Sequence, residues 1–111
     1  MQEMVIFKKA YGFCKWLMNH TEKFPKSHRF SVAVKMENCM LDFLRYITIA
    51  NYRTKKYTLL KSADEELVTL RILLRLSCDM KFLSLSSYEF GIKSIEELGR
   101  LLGGWIKSEG G

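Results

Sequence analysis

A single proline, Pro25, interrupts a chain whose apolar residues otherwise recur at helical spacing. Proline lacks a backbone N–H and clashes with the preceding turn, so a helix that starts before Pro25 has to end there. One face of that first helix is marked by Ile6, Ala10, Phe13 and Leu17, which repeat every three or four residues. With one proline in 111 residues, the chain is predicted to form long helices within a single domain.

The spacing predicts an all-α fold, an up-down-up-down antiparallel four-helix bundle that spans residues 1–111 as one domain. Helices are expected at about 4–20, 28–52, 62–80 and 87–107. Ser27 is the expected N-cap of the second helix. Capping boxes that begin at Ser62 and Ser86 are expected to start the third and fourth helices.

The second and fourth predicted helices carry patterns that bear on packing. The second is apolar on one face (Val32, Met36, Cys39, Met40, Phe43, Ile47, Ala50) and again on another (Val34, Leu41, Leu44, Ile49). A helix this apolar is buried on more than one side, either at a subunit interface or between neighbours of its own bundle. In the fourth, Gly91, Gly99 and Gly103 are spaced by multiples of four. This line predicts close approach of another helix, with fraying at the C-terminus as the alternative at Gly103 and Gly104.

Catalysis finds little support in the sequence. His20 and His28 are the two histidines, and neither belongs to a metal-binding or di-iron spacing. There is no glycine-rich phosphate loop and no nucleophile elbow. Cys14, Cys39 and Cys78 are odd in number and widely spaced, which fits buried free thiols rather than a disulfide framework. We expect no catalytic residue, no metal site and no cofactor.

Basic residues are concentrated in the middle of the chain, whose total net charge is +6. Residues 24–60 hold seven basic residues against two acidic ones, a net charge of +5. Such a field favours polyanions, nucleic acid above all. Tyr52 and Tyr57 flank part of this segment and could stack on bases. The candidate contacts are Lys26 and Arg29 at the start of the second helix, and Arg53, Lys55, Lys56 and Lys61 in the long connector to the third.

Arg71 and Arg75 lie four residues apart in an otherwise apolar helical run. Like charges at this spacing repel by a few tenths of a kcal/mol. The pair therefore indicates a negatively charged partner, which could offer phosphates or protein carboxylates to the two guanidinium groups. The alternative is an exposed pair balanced by Asp79, four residues beyond Arg75.

Three segments, taken in order, resemble a known family: Phe24-Pro25-Lys26-Ser27-His28-Arg29-Phe30, Leu70-Arg71-Ile72-Leu73-Leu74-Arg75-Leu76 and Leu98-Gly99-Arg100-Leu101-Leu102-Gly103-Gly104-Trp105-Ile106-Lys107-Ser108. From about Tyr11 to Ser108 the chain is similar to the accessory variability determinant of diversity-generating retroelements. That family is a relative of the four-helix-bundle proteins encoded in ribosomal RNA intervening sequences. The chain departs from the family pattern at Ala33, where a glycine is expected.

The resemblance implies a non-catalytic, basic homopentamer that binds nucleic acid. Because the sequence contains no base-reading motif, we expect the binding of RNA or DNA not to be sequence-specific. The resemblance also implies association with the element's reverse transcriptase, which copies a template-repeat RNA into mutagenised complementary DNA. Arg71 and Arg75 become the leading contacts, followed by Lys26 and Arg29 and then by the connector. The alternative is a structural or protein-interaction bundle of the intervening-sequence type with no nucleic-acid role.

The sequence also carries an expectation about location. No apolar stretch approaches the roughly 18 residues that a membrane span requires. The N-terminal residues show no signal-peptide pattern. We therefore expect a cytoplasmic protein with no membrane partner.

Overall fold

In a computed structural model, which describes residues 2–110 and the side chains of residues 5–110, the chain is helical almost throughout. The elements are α1 (Gln2–Thr21), the single turn α2 (Lys26–His28), a π-helical turn (Arg29–Ala33), α3 (Val34–Tyr52), α4 (Tyr57–Asp79) and α5 (Leu85–Ser108). The turn α2, the π-helical turn and α3 follow one another without a break and together correspond to the second predicted helix. No strand occurs in residues 2–110, and the prediction of an all-α fold with four long helices is confirmed.

The contacts between α1 and α5 show that these two helices run in opposite directions. Near the end of α1, His20 Nε2 lies 3.4 Å from the hydroxyl of Ser87, at the start of α5. Earlier in α1, Lys9 forms an ion pair of 3.0 Å with Glu97, further along α5. These contacts favour the up-down-up-down order, which for the bundle as a whole stays a prediction.

The core forms where the apolar faces of the helices meet. Both faces expected from helical spacing are buried, that of α1 completely and that of the second predicted helix except for the half-buried Val32, which lies in the π-helical turn. Phe24 is also buried, just before Pro25, so the chain reversal after α1 is anchored in the core. Each fully buried side chain of this size contributes roughly 1.5–3 kcal/mol to the free energy of unfolding.

The second apolar set of α3 is only partly covered. Leu41 is 46% exposed, and Val34, Leu44 and Ile49 are half-buried. Leu44 packs against the core, as expected for a helix between neighbours, while Leu41 faces outward. Leu44 therefore supports the interpretation as an intramolecular contact, and Leu41 is available for a contact between subunits.

The start of α4 differs from the expectation. This helix begins at Tyr57 rather than near residue 62, and the Leu60 N–H already donates to the Lys56 carbonyl at 2.9 Å. Ser62 lies inside the helix, so the capping box predicted there is wrong. The cause is the apolar repeat through Leu60, Ala63 and Leu67, all buried, because extending the helix by one turn buries Leu60.

The other two predicted caps are also wrong, each by a short displacement. The N-cap of α5 is Ser84, whose hydroxyl accepts a hydrogen bond from the Ser87 N–H at 3.1 Å. Ser86 therefore lies in the first turn. Ser27 lies inside α2, whose N-cap position is taken by Pro25 without a side-chain hydrogen bond. Proline is accepted at this boundary because the first N–H groups of a helix have no intrahelical partner.

A π-helical turn at Arg29–Ala33 is a feature that the sequence did not predict. It leaves Phe30 87% exposed while Ala33 is buried. Ala33 has a φ angle of −62°, which is ordinary helical backbone. The departure from the family's glycine at this position therefore introduces no backbone strain.

The close approach of another helix that the glycine line of α5 predicts is confirmed only at Gly91. A Cβ atom on Gly91 would lie 3.0 Å from Leu74 Cδ1 and 3.5 Å from Trp16 Cη2, so α4 and α1 both approach closely there. At Gly99 and Gly103 a Cβ atom would meet nothing within 4 Å. The predicted close approach is therefore wrong for these two glycines in the single chain.

Candidate nucleic-acid interface

The connector between α3 and α4 is a short basic segment, residues 53–56, flanked by two exposed aromatic rings. Tyr52 is 82% exposed and Tyr57 is 52% exposed. Arg53 and Lys55 between them are also exposed. Exposed rings offer stacking surfaces for bases, and the neighbouring cations offer contacts for phosphates. The structure thus places the exposed cations of the connector beside its two exposed tyrosine rings, as the sequence predicted.

Lys56 has a different role from its neighbours. Its Nζ atom donates a hydrogen bond of 3.0 Å to the carbonyl oxygen of Ala50, and it lies 6.0 Å from the ring centroid of Trp105. The Ala50 carbonyl also accepts from the Arg53 N–H at 3.1 Å, so Lys56 adds a second donor at the C-terminal end of α3. Lys56 is therefore primarily a structural residue, which the sequence did not predict.

A depression of about 390 Å³ lies beside the connector. Its lining consists of Thr54, Lys55, Lys56, Tyr57, Thr58 and Glu109. Here α4 begins without a side-chain cap, and the first N–H groups of a helix carry partial positive charge. Cations, hydroxyl groups and this helix start make the depression suitable for a phosphate group, although Glu109 adds one negative charge.

The remaining basic candidates do not join this cluster. Lys61 is exposed in the second turn of α4, so its predicted place in a loop is wrong. Lys26 and Arg29 lie before α3, and the connector lies after it. The 19 residues of α3 separate the two groups by about 28 Å at 1.5 Å per residue. The candidate contacts within segment 24–60 are therefore divided between opposite ends of α3, and the exposed Lys35 and Arg45 lie on α3 between them.

Lys26 and Arg29 also differ from each other. Lys26 is exposed, whereas Arg29 is half-buried. Arg29 Nη2 donates a hydrogen bond of 3.1 Å to the carbonyl oxygen of Glu22, just after α1. Arg29 thus helps to hold the turn after α1, and Lys26 is the better placed of the two for an external ligand.

Arg71 and Arg75 lie on a separate surface between α4 and α5. The Arg71 guanidinium is 3.7 Å from the Glu96 carboxylate of α5. Arg75 Nε is 3.9 Å from the Asp79 carboxylate, four residues later. Arg75 therefore pairs with Asp79, as the alternative interpretation of the sequence expected. Both ion pairs are longer than a hydrogen bond. Exposed ion pairs of this kind contribute about 0–1 kcal/mol to stability.

A basic and aromatic surface on α1 was missed by the sequence analysis. Lys8, Tyr11 and Lys15 are exposed, and Lys15 Nζ lies 5.4 Å from the Tyr11 ring centroid. The Phe7 ring stacks on the Tyr11 ring at 5.8 Å. The sequence does contain the pattern that indicates this surface: Lys8, Tyr11 and Lys15 are spaced by three and four residues, on the helix face opposite the buried Ile6.

The thiols do not form a chemical site. Burial, followed by the Glu66 carboxylate, raises the pKa of Cys39 to about 11. Burial and then the Glu37 carboxylate raise the pKa of Cys14. Cys78 is only half-buried, so the expectation of buried thiols is wrong for it. Within the described part of the chain, no three His, Cys, Asp or Glu side chains are close enough together to hold a metal ion.

A membrane-spanning helix needs about 20 predominantly apolar residues. Within the described residues, no helix combines the length and the hydrophobicity that crossing a bilayer requires.

Comparisons with known proteins agree with this architecture. A family model described as bAvd-like matches residues 4–109. The fold is similar to the crystal structure of a protein of unknown function from the S23 ribosomal protein family of Bacteroides thetaiotaomicron, with a TM-score of 0.87 and 18% sequence identity. The similarity covers 96% of this chain and 99% of that one. No curated protein matches the chain.

Proposed function

We propose that this chain, which belongs to the bAvd-like family, is a non-catalytic accessory protein of a diversity-generating retroelement. It binds the element's reverse transcriptase and its template RNA or complementary DNA, and so supports mutagenic retrohoming. The observation that carries this proposal is the family match over residues 4–109. The net charge of +6 supports a polyanionic ligand.

The connector between α3 and α4 is the proposed nucleic-acid contact. Arg53 and Lys55 pair with phosphates, and Tyr52 and Tyr57 stack on unpaired bases. Both kinds of contact tolerate any base, since a charge reads the backbone and a ring meets the π face that every base has. The proposed binding is therefore not sequence-specific.

Assembly and location complete the proposal. We expect a homo-oligomer, a pentamer by resemblance to the accessory proteins, that acts in the cytoplasm. The outward-facing Leu41 supports a contact between copies, because an exposed leucine on a long helix gains from burial. Light scattering on the purified protein tests the particle mass against the chain mass of 13.0 kDa.

Titration of a labelled structured RNA tests the nucleic-acid contact. The double variant Arg53→Ala/Lys55→Ala should bind more weakly than the wild type, with a shallower dependence on salt. The slope of log K against log salt should fall by about 0.7–0.9 for every phosphate that the variant no longer binds. The matched control is Lys93→Ala/Arg100→Ala, which removes two exposed charges from α5. An equal fall in affinity in both double variants would rule out the connector as the site.

A protein-interaction bundle without nucleic-acid binding is the second candidate. It is favoured by the apolar depression between α4 and α5, lined by Ile72, Leu76, Tyr88 and Ile92 beside the arginine pair. The two functions differ in their response to salt, because phosphate contacts release counterions and an apolar groove does not. A wild-type protein that ignores RNA at low salt would favour the second function.

A further inference from the structure

We propose that α4 and α5 form a docking groove for an acidic amphipathic helix of a protein partner. The inference deepens the proposed function, on which it rests for the existence of a protein partner. It assigns Arg71 and Arg75 to protein carboxylates rather than to phosphates.

The first observation is an apolar row on the outer face of α4. Val68 is 55% exposed, Ile72 is 64% exposed and Leu76 is 42% exposed. They are four residues apart, so they form one stripe about 12 Å long. The core face of the same helix is already complete, with Leu67, Leu70 and Leu74 buried. The outer row is therefore not needed to complete the core of the single chain.

The second observation is a concave surface beside this row. A groove of about 440 Å³ is bounded by Ile72 and Leu76 on α4 and by Tyr88 and Ile92 on α5. Its volume falls in the range of roughly 300–1,000 Å³ that is typical of binding pockets. A partner helix that presents apolar residues at positions i, i+4 and i+7 would place them in such a groove.

The third observation is the charge at the edge of the groove. Arg71 and Arg75 both line it, and their present ion pairs, at 3.7 and 3.9 Å, are longer than hydrogen bonds. A guanidinium group can hold a carboxylate by two parallel hydrogen bonds. Acidic residues beside the apolar positions of a partner helix would gain these bonds. Asp79 at one end of the groove would favour a basic residue there and so fix the direction of the helix.

Two other occupants fit the groove less well. Nucleic acid needs aromatic faces for its bases, and the floor here is mainly aliphatic, through Ile72, Leu76 and Ile92. A second copy of this chain carries 12 acidic residues against 18 basic ones, so its surface offers fewer carboxylates to the two arginines than an acidic helix does. A partner segment with negative charge removes both difficulties.

Fluorescence anisotropy with a synthetic helical peptide tests the proposal on the full-length protein. The probe carries leucines at i, i+4 and i+7 with glutamates on both flanks, and the matched probe replaces every glutamate by lysine. The wild type should bind the glutamate probe saturably and the lysine probe at least tenfold more weakly. No binding, or equal binding of the two probes, would overturn the proposal.

Variants of exposed groove residues then separate the apolar and charged contributions. Ile72→Ser should weaken the glutamate probe about tenfold, as expected for loss of a central apolar anchor. Arg71→Glu/Arg75→Glu should reverse the preference, so that the lysine probe binds better. The matched control Lys93→Glu/Arg100→Glu changes the same number of charges on α5 and should retain the wild-type preference. An unchanged preference in the groove variant would overturn the assignment.

Light scattering and RNA titration on the same proteins distinguish a partner helix from a second copy of the chain and from nucleic acid. A fall in particle mass in Ile72→Ser would show that the groove is a contact between copies, which would overturn the proposal. The connector variant Arg53→Ala/Lys55→Ala should keep full peptide binding. Failure of RNA binding by the wild type would count against the proposed nucleic-acid function and leave peptide docking standing, so the two failures are distinguishable.

Discussion

Lys56 Nζ lies 3.0 Å from the carbonyl oxygen of Ala50, whereas its neighbour Lys55 is exposed beside the connector depression. Two adjacent lysines thus have separable roles. Lys56→Met should lower the free energy of unfolding by about 1 kcal/mol, because it removes a hydrogen bond from a charged donor to the end of α3. Urea denaturation followed by circular dichroism measures this change.

Substitution of the neighbouring Lys55 should weaken RNA binding without lowering the stability of the fold. Lys55→Met should leave the free energy of unfolding within about 0.5 kcal/mol of the wild type, as for most surface substitutions. Its RNA affinity should fall, and that of Lys56→Met should fall less. If Lys55→Met destabilised the protein as much as Lys56→Met, the assignment of separate roles would be wrong.

Two glycines of α5 should respond in opposite ways to alanine. Gly99 has open space around its Cβ position, so Gly99→Ala should raise the free energy of unfolding by about 0.5–1 kcal/mol through helix propensity. Gly91→Ala should lower it by about 1 kcal/mol, because the new methyl group would press on the buried Leu74 side chain. Thermal denaturation of the two variants measures both signs. A stabilising Gly91→Ala would show that Leu74 moves aside freely.

The Cys39 thiol should make stability depend on alkaline pH. Its pKa is raised from 9.0 to about 11 in the folded chain. Between these values the unfolded thiol loses its proton and the folded one keeps it, so unfolding is favoured as pH rises. The stability that the protonated Cys39 thiol contributes is fully present below pH 9 and is lost as pH rises through about 11.

Comparison with Cys39→Ala isolates this effect from other groups that titrate in the same range. The free energy of unfolding of the wild type should fall more steeply between pH 9 and 11 than that of the variant. Denaturant titrations at several pH values give the two slopes. Parallel slopes would mean that burial does not perturb this thiol.

A part-buried hydrogen bond connects the end of α1 to α3. Thr21 is 1% exposed, and its hydroxyl donates to the Glu37 carboxylate. Thr21→Val keeps the shape of the side chain and removes the donor, so the carboxylate is left without this buried partner. The free energy of unfolding should fall by about 1–3 kcal/mol. Thr48→Val, at an exposed residue of α3, is the matched control and should change stability much less.

The sequence predicted the long helices correctly because one physical signal, the burial of residues at helical spacing, determines them. Ile6, Ala10, Phe13 and Leu17 are all buried as expected. The capping signals were weaker. A cap contributes about 1 kcal/mol, less than the roughly 1.5–3 kcal/mol from burying Leu60 in the extra turn of α4. The apolar repeat therefore determined where α4 begins.

The candidate site was harder to predict because it depends on contacts distant in sequence. The composition of the connector indicated a basic and aromatic segment, and Tyr52 and Tyr57 are indeed exposed. Nothing local distinguishes Lys55 from Lys56, since the role of Lys56 depends on Ala50 and on Trp105, which lies 49 residues further along the chain. Arg71 and Arg75 were recognised from spacing, but the groove beside them requires Tyr88 and Ile92 of α5.

The separation of the basic residues by α3 sets a minimum length for any ligand that engages both groups. The 19 residues of α3 hold the two groups about 28 Å apart at 1.5 Å per residue. One turn of double-stranded nucleic acid is about 34–36 Å long. A duplex much shorter than one turn therefore reaches one group at a time, whereas a longer duplex or hairpin gains from both through bivalent attachment.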